Sequence, residues 1–368
     1  MGYVAVKGGS EAIERACELF AWQRGRGAAP PLGVDQVRDK LYLATDRVMG
    51  EGGLHAPELA ALALKQSAGD TLEAAFMLRA YRATRPRLGQ TLASGTERMR
   101  VIRRISSAFK DIPGGQILGA TSDYTLRLLD FDLLADDAAR QQAYTERVLR
   151  HLPAGADQLP DTFPKVIDLL RREGLLEEAG SGQATLEDIT RQAMLFPASR
   201  SAALQALCRG ETGSMLALAY STMRGYGNIH PTLGELRIGY LPVCMPHPAT
   251  GEPVEIGAVK VTEVEVLARL HAADGQTRFS LGYGFCFGQN EIKAIAMAIL
   301  DRSTRNTTGT SPAENQEFVL SHIDGIESMG FCNHWKLPHY VDFLSDLDRV
   351  RKVQELACEA GGEANDAA

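Results

Sequence analysis

The chain has 368 residues, 45% of them apolar and 23% charged, which predicts a globular protein of two or three domains with enough apolar content for a core. The 39 Lys+Arg against 46 Asp+Glu leave a formal charge of −7, which argues against a general nucleic-acid binder. No uncharged run approaches the roughly 18 residues of a membrane span. The six cysteines are scattered, Cys332 and Cys358 being the nearest pair, so there is no Cys-x-x-Cys knuckle. With no signal-like apolar run at the N-terminus, the expected location is the cytoplasm.

In chain order, residues 3–6 read as a short strand. Gly8-Gly9-Ser10 then turns and caps a helix over 11–23. A Gly/Pro cluster at 25–31 breaks the chain. Helical spacing follows at 34–49, 57–67, 70–83 (with Asp70 as cap) and 96–109. The last of these carries Arg98, Arg100, Arg103 and Arg104. They do not share one face, and they read as a solvated helix with ion pairs. Residues 136–164 form a loop-rich connector with one helix at 138–151, and 180–184 is a second soft spot. A long helix is expected over 199–222. Strands follow at 235–243, 253–270 and 277–287, then helices at 290–302, 314–322 and 340–357. The fold class is mixed α/β (α+β). Residues 1–135 are expected to form a mainly helical domain, and 136–195 a connector with short helices. Residues 196–357 are expected to form an α+β domain with a small sheet flanked by helices, and 358–368 a disordered tail.

The segment FCNHWKLPHYVD places His334 and His339 five residues apart, with Pro338 before the second. Five residues turn an ideal helix by about 500°, so the two rings do not share a helical face. Pro338 also drives Leu337 out of helical geometry. The expected arrangement is a loop carrying His334 and a helix opening near His339. Two such imidazoles suit a transition metal, zinc above all. A zinc site takes three or four ligands, so others must come from Cys332, Asp342, a distant segment or a partner chain. Two structural histidines are the competing reading.

Four further segments carry chemistry. Lys110-Asp111-Ile112-Pro113-Gly114-Gly115-Gln116 sets a cation and a carboxylate before a Pro-Gly-Gly turn, either an anion cradle or a plain turn. Arg224, Gly225, Tyr226, Gly227 and His230 follow an apolar helix in a polar cluster beyond what a helix cap requires. Asp46 and Glu51 lie on a helix that stops at Gly52-Gly53. Gly282-Tyr283-Gly284-Phe285-Cys286-Phe287-Gly288 joins a strand to a helix, and close packing of its glycines is the favoured reading.

Taken together, KGGSEAIE, LYLATDRVMGEGG, ELAALALKQSAGD, FKDIPGGQILG, DYTLRLLDF, ALAYSTMRGYGNIHP, GYGFCFG and HWKLPHYVDF resemble the PhnI family, subunit I of the bacterial carbon–phosphorus lyase core complex. The likeness runs through nearly the whole chain and is weakest at 136–185 and 244–280. It implies work with subunits G, H and L to displace adenine from MgATP with a phosphonate, giving α-D-ribose 1-alkylphosphonate 5-triphosphate. It implies a purine nucleosidase activity on ATP or GTP for the subunit alone, self-association at the two-fold of the complex, and Mg²⁺ arriving with ATP. It also implies that His334 and His339, which match the family's HxKLPH motif, bind Zn²⁺ at an interface with subunit J, the radical SAM enzyme that breaks the carbon–phosphorus bond.

For the ribosyl transfer, the residue types suggest Asp46, Glu51, Asp111 and His230 as acid–base or carboxylate groups. Lys110, Gly114, Gly115, Arg224, Gly225, Tyr226 and Gly227 are the expected substrate-binding residues. The alternative is a scaffold subunit that assembles the complex and lends zinc ligands.

Overall fold

The computed structural model describes residues 9–151, 162–177, 186–224, 230–271, 275–305 and 311–366. It divides into one compact unit of residues 34–324 and a second made of 1–33 with 325–368. The fold is mixed α/β, with thirteen α-helices and one sheet among the described residues. The strand expected at 3–6 and the soft spot at 180–184 lie outside the described residues.

The larger unit is organised by a four-stranded antiparallel sheet in the order β1-β2-β3-β4. Its strands are β1 (Arg100–Ile105), β2 (Thr232–Pro246), β3 (Pro253–His271) and β4 (Thr277–Phe287). The last three match the expected strands. The first corrects the reading of a helix over 96–109: only Thr96–Arg98 forms a 3-10 turn, and the arginine run continues as an edge strand of the sheet. The physical reason is tertiary pairing. Arg103 and Arg104 are 2% and 0% exposed; Arg104 is the countercharge to the buried Glu235 and Arg103 pairs with Asp123 and Glu291, so neither lies on a solvated helix face.

Strand alternation separates the two faces of the sheet. Leu236, Ile238, Val264, Val266 and Cys286 share one core with Ala294 and Ala298 of α10 (Glu291–Ser303). Gly282 and Gly284 permit that contact, since a Cβ at either would lie 2.0 Å from a carbonyl oxygen of α10. The glycines of this strand are therefore a packing device, as the sequence suggested. The other face carries Glu235 and Arg237 on β2, which stand opposite Glu265 and Glu263 of β3.

Four helices, α2 (Val34–Lys40), α3 (Tyr42–Gly52), α4 (Pro57–Gln66) and α5 (Thr71–Ala83), bury Val37, Val48, Met49, Leu64 and Leu78 together. Asp70 caps α5 as expected, accepting from the backbone N–H groups of Leu72 and Glu73 at 3.0 and 3.1 Å. Helix α6 (Ala138–His151) has its expected bounds. A short α7 (Ile167–Arg172) follows. The long helix expected over 199–222 is two, α8 (Arg200–Arg209) and α9 (Thr212–Ser221). The chain breaks at Gly210, and Glu211 caps α9 by accepting from Gly213 and Ser214 N–H at 2.8 and 2.7 Å. Helix α11 (Gln316–His322) completes this unit. Every residue from 118 to 151 is exposed, including Leu126, Leu128, Leu129, Phe131 and Leu134.

The smaller unit holds α1 (Ser10–Arg24), α12 (Gly325–His334) and α13 (Tyr340–Asp366). Helix α13 continues through Asp366, into the stretch expected to be a tail.

Candidate functional site

The two histidines of the smaller unit face one another across a tight turn. His334 is the last residue of α12 rather than part of a loop, a correction to the sequence reading. The chain then turns through Trp335 and Lys336, with Leu337 N–H donating to the His334 carbonyl at 3.0 Å. Pro338 and His339 precede α13, as expected. The Nε2 atoms of His334 and His339 are 2.9 Å apart, with ring centroids at 4.6 Å and planes at 85°. Trp335 stacks on His339 at 5.6 Å. His339 Nδ1 lies 2.6 Å from the Leu337 carbonyl oxygen. A carbonyl only accepts, so Nδ1 carries the proton and Nε2 is left with its lone pair. Both rings are half-buried, while Cys332 and Asp342 are exposed.

In the larger unit, Asp46 is 4% exposed and sits on α3 where the loop between β4 and α10 crosses it. Its Oδ2 accepts from Lys260 Nζ at 2.7 Å and from Gln289 N–H at 2.9 Å. Asn290 Nδ2 donates to the Asp46 carbonyl at 2.8 Å. The approach depends on Gly288, whose φ is +76° and where a Cβ would lie 2.6 Å from Asp46 Cβ. The Lys260 ammonium also sits 5.2 Å from the Tyr42 ring centroid, and its backbone N–H donates to His55 Nε2 at 3.0 Å. Burial pushes the His55 imidazole below its ordinary range, against the opposing pull of Asp46. His55 therefore stands neutral at pH 7 with its proton on Nδ1. Asp46, Lys260, His55 and Tyr42 thus converge on one partly accessible corner. Glu51, one turn further along α3, accepts from Thr212 N–H and Oγ at 3.1 and 2.7 Å and so fastens α3 to the start of α9.

The turn at 110–116 wraps a cation of the protein's own. Arg104 donates to the carbonyls of Pro113, Gly115 (3.1 Å) and Pro164 (2.9 Å) and to Glu235 Oε1, with its guanidinium 5.1 Å from the Phe163 ring centroid. Gly114 and Gly115 have φ of +83° and +77°, which lets the turn bring the Pro113 and Gly115 carbonyls to that guanidinium. Lys110 and Asp111 are exposed. Beside the turn lies an open cleft of about 690 Å³ lined by Pro113, Pro164, Asp168, Arg171 and Arg172. Arg224 is exposed just beyond α9, with Nη1 3.3 Å from the Tyr220 hydroxyl. His230 is exposed ahead of β2, and Gly225, Tyr226 and Gly227 lie outside the described residues.

The polar face of the sheet escaped the sequence reading. Glu263 and Glu265 are 2% and 3% exposed and share Lys165, whose Nζ reaches Glu265 Oε1 at 2.9 Å and Glu263 Oε1 in a shorter contact. Glu263 Oε1 also accepts from Thr96 Oγ at 2.8 Å and the Tyr283 hydroxyl at 3.0 Å. Burial pushes Glu265 up to about 7, Lys165 opposing and Glu263 reinforcing the shift. Burial alone would lower the Lys165 ammonium, but Glu263 and Glu265 outweigh it and hold it above its ordinary value.

The sign of the Glu265 linkage is fixed by these shifts. A folded value above the unfolded 4.5 favours folding below that pH and loses its contribution as pH rises through about 7. Glu265→Gln is therefore expected to gain stability on the wild type, by on the order of 2–3 kcal/mol, between pH 5 and 8. Urea unfolding of both proteins at the two pH values checks this. A difference that does not change with pH contradicts it.

The family model for the bacterial phosphonate metabolism protein PhnI matches residues 2–357. The chain belongs to the PhnI family. It is 55% identical over 97% of its length, and 97% of the relative's, to the putative C-P lyase subunit protein HtxH of Stutzerimonas stutzeri. It is 46% identical to the α-D-ribose 1-methylphosphonate 5-triphosphate synthase subunit PhnI of Escherichia coli K12, over 96% of this chain and 98% of that one. The protein so named in Rhizobium meliloti 1021 is 44% identical, over 98% of both.

The two histidines of this PhnI chain fit a metal ion on chemical grounds. His339 already donates its Nδ1 proton to a carbonyl, which is how ligating histidines are usually oriented, and its Nε2 lies 2.9 Å from His334 Nε2. Among the described residues, no group of three or more His, Cys, Asp or Glu is placed to hold a metal. Within the described residues the chain thus offers two ligands, and neither Cys332 nor Asp342 joins them.

Proposed function

We propose that the chain is subunit I of a cytoplasmic carbon–phosphorus lyase core complex. With subunits G, H and L it displaces adenine from MgATP by an alkylphosphonate, giving α-D-ribose 1-alkylphosphonate 5-triphosphate. Alone it acts as a purine nucleosidase on ATP or GTP. The observation that carries this reading is the full-length likeness to proteins named as subunits of the methylphosphonate triphosphate synthase. The exposed apolar residues between 118 and 151 support assembly, since a lone soluble chain does not ordinarily leave so many uncovered. No described helix is long and apolar enough to cross a membrane.

Cleavage of the N-glycosidic bond develops positive charge on the ribose and negative charge on the departing purine. A carboxylate suits the first need, and Asp46, whose Oδ2 accepts from Lys260 Nζ, is our choice for it. His230 or Asp111 is the proton source for the purine. Arg224, Lys110 and the turn at Gly114-Gly115 are the phosphate-binding groups, with Mg²⁺ carried by the nucleotide. His334 and His339 hold zinc, with subunit J completing the coordination. A zinc ion held there would supply Lewis-acid polarisation of a phosphate or phosphonate oxygen. In this reading the chain's own task there is to present two oriented imidazole lone pairs.

Arg224 offers the direct test, because it is exposed and its replacement disturbs no core. In the assembled complex Arg224→Ala is expected to lower kcat/KM for MgATP by roughly 10- to 100-fold, about 1.5–3 kcal/mol for a lost charge-assisted contact. Unchanged kinetics in the folded variant would remove Arg224 from the pocket and leave Lys110 and Asp111 as the next groups to vary.

A further inference from the structure

On the polar face of the sheet Arg104, Arg237 and Lys165 stand against Glu235, Glu263 and Glu265, and the charges balance. The end of α3 is different. Gly53 closes that helix with φ of +64°, and a Cβ there would lie 2.8 Å from Arg82 Nη1 and 3.1 Å from Arg209 Cδ. Arg82, from the last turn of α5, and Arg209, the last residue of α8, therefore flank one point. Two more arginines adjoin them, each with its own carboxylate. Arg79 forks onto Asp324 at 2.7 and 3.0 Å, and Arg87 pairs with Asp188 at 2.5 Å. Among the described residues, no carboxylate lies within ion-pairing distance of Arg82 or Arg209. Both are half-buried. Burial, and then repulsion from neighbouring arginines, pulls each guanidinium below its ordinary value. Capping of helix ends accounts for part of the cluster. Arg79 Nη2 serves the carbonyls of Glu51 and Arg209 at 3.0 and 3.4 Å, and Arg82 Nη1 serves that of Gly53 at 3.0 Å. Those bonds bring no countercharge, and they leave the Arg209 guanidinium without a task.

We propose that Arg82 and Arg209, set around Gly53, form a binding site for a phosphate group. The ligand class follows from the donors. A guanidinium offers a planar fork of N–H groups that matches the oxygens of phosphate, and a terminal phosphate carries up to two charges on three oxygens. Two forks with two uncompensated charges suit it. A single carboxylate from another chain would leave one of the two cations unmatched. Gly53 is what allows the forks to stand so close, since any side chain there would strike both arginines. Arg79 keeps the two sides in register, because it bonds the last turn of α3 and the end of α8 at once. The site is distinct from Arg224 and Lys110, and it requires a phosphate group rather than a ribosyl transfer, so it stands apart from the function proposed above.

The test is calorimetric binding of inorganic tripolyphosphate to the assembled complex, against sodium chloride of equal ionic strength. Arg82→Gln and Arg209→Gln are each expected to weaken binding by roughly 10-fold or more. Arg209→Lys, which keeps the charge without the fork, should recover only part of the loss. With no anion present, Arg209→Gln should leave the thermal midpoint unchanged or raised, because a repelled charge has gone. Binding that is equal in the wild type and both Gln variants, or that sodium chloride reproduces, overturns the proposal. A midpoint lowered by Arg209→Gln with tripolyphosphate binding kept makes the arginines helix caps alone and also overturns it. So does an experimental structure of the complex with a partner carboxylate between the two guanidiniums. The source of the phosphate is read from turnover. A KM for MgATP raised about 10-fold at unchanged kcat assigns the site to the nucleotide's triphosphate. Lost tripolyphosphate binding with an unchanged KM assigns it to free phosphate or pyrophosphate. The binding arm needs no turnover, so it remains readable in a complex that does not cleave ATP.

Discussion

Replacing His334 or His339 by alanine is expected to abolish growth on methylphosphonate as sole phosphorus source. The same variants should leave the complex assembled and ATP cleavage to adenine largely intact. The two Nε2 atoms meet at 2.9 Å from α12 and the start of α13, and within the described residues the chain supplies no third metal-binding side chain. Loss of one of two such ligands removes half of its hold on the ion. The effect on zinc affinity should exceed the roughly 10- to 100-fold typical of losing only an orienting partner. Metal analysis of the purified complex should therefore show zinc near one per chain in the wild type and almost none in either variant. An open pair of ligands is the arrangement expected for substrate contact rather than for a closed structural staple. A variant that fails to assemble would make the zinc structural. Growth of both variants on methylphosphonate would remove the site from the pathway.

The largest loss of stability is expected from Arg104. It is fully buried, reaches Glu235, and donates to the carbonyls of Pro113, Gly115 and Pro164. Arg104→Met removes the charge and the fork but keeps most of the volume. Breaking a buried ion pair from one side costs about 3–5 kcal/mol, because the surviving charge stays buried. Arg237 still lies 2.9 Å from Glu235 and shares that burden, which places the expected value near the lower end, about 3 kcal/mol. Arg104→Lys should recover only part of this, since one ammonium does not replace a planar fork among several acceptors. Chemical unfolding midpoints with unchanged slope check both variants. A loss below about 1 kcal/mol for Arg104→Met would contradict the role assigned to it.

What the sequence disclosed follows from the range of the interactions involved. Strands β2, β3 and β4 and helices α6 and α10 were legible because their patterns and breakers are local. Strand β1 was not. Four arginines in seven residues suit a solvated helix as well as a strand, and only pairing with Glu235, far along the chain, decides between them. Asp46 was visible as a carboxylate on a helix, but its partner Lys260 is 214 residues away. The Glu263/Glu265 pair left a signal that went unused. Val-Thr-Glu-Val-Glu-Val sets carboxylates at alternate positions of an otherwise apolar strand, which directs both to one face. The histidine motif was legible because its spacing is local. The misplacement of His334 on a loop came from extending the influence of Pro338 back past the residue it restricts.

The most direct test of the proposed function is product analysis of the reaction itself. The chain, assembled with subunits G, H and L, is incubated with MgATP and methylphosphonate, and adenine and phosphorus-containing products are followed by chromatography and ³¹P NMR. The expected result is adenine released in step with a new phosphonate ester at C1 of ribose 5-triphosphate, and neither product when this chain is omitted. Product formation that continues without the chain, or no adenine release from the complete assembly, would contradict the assignment of the ribosyl-transfer site to this subunit.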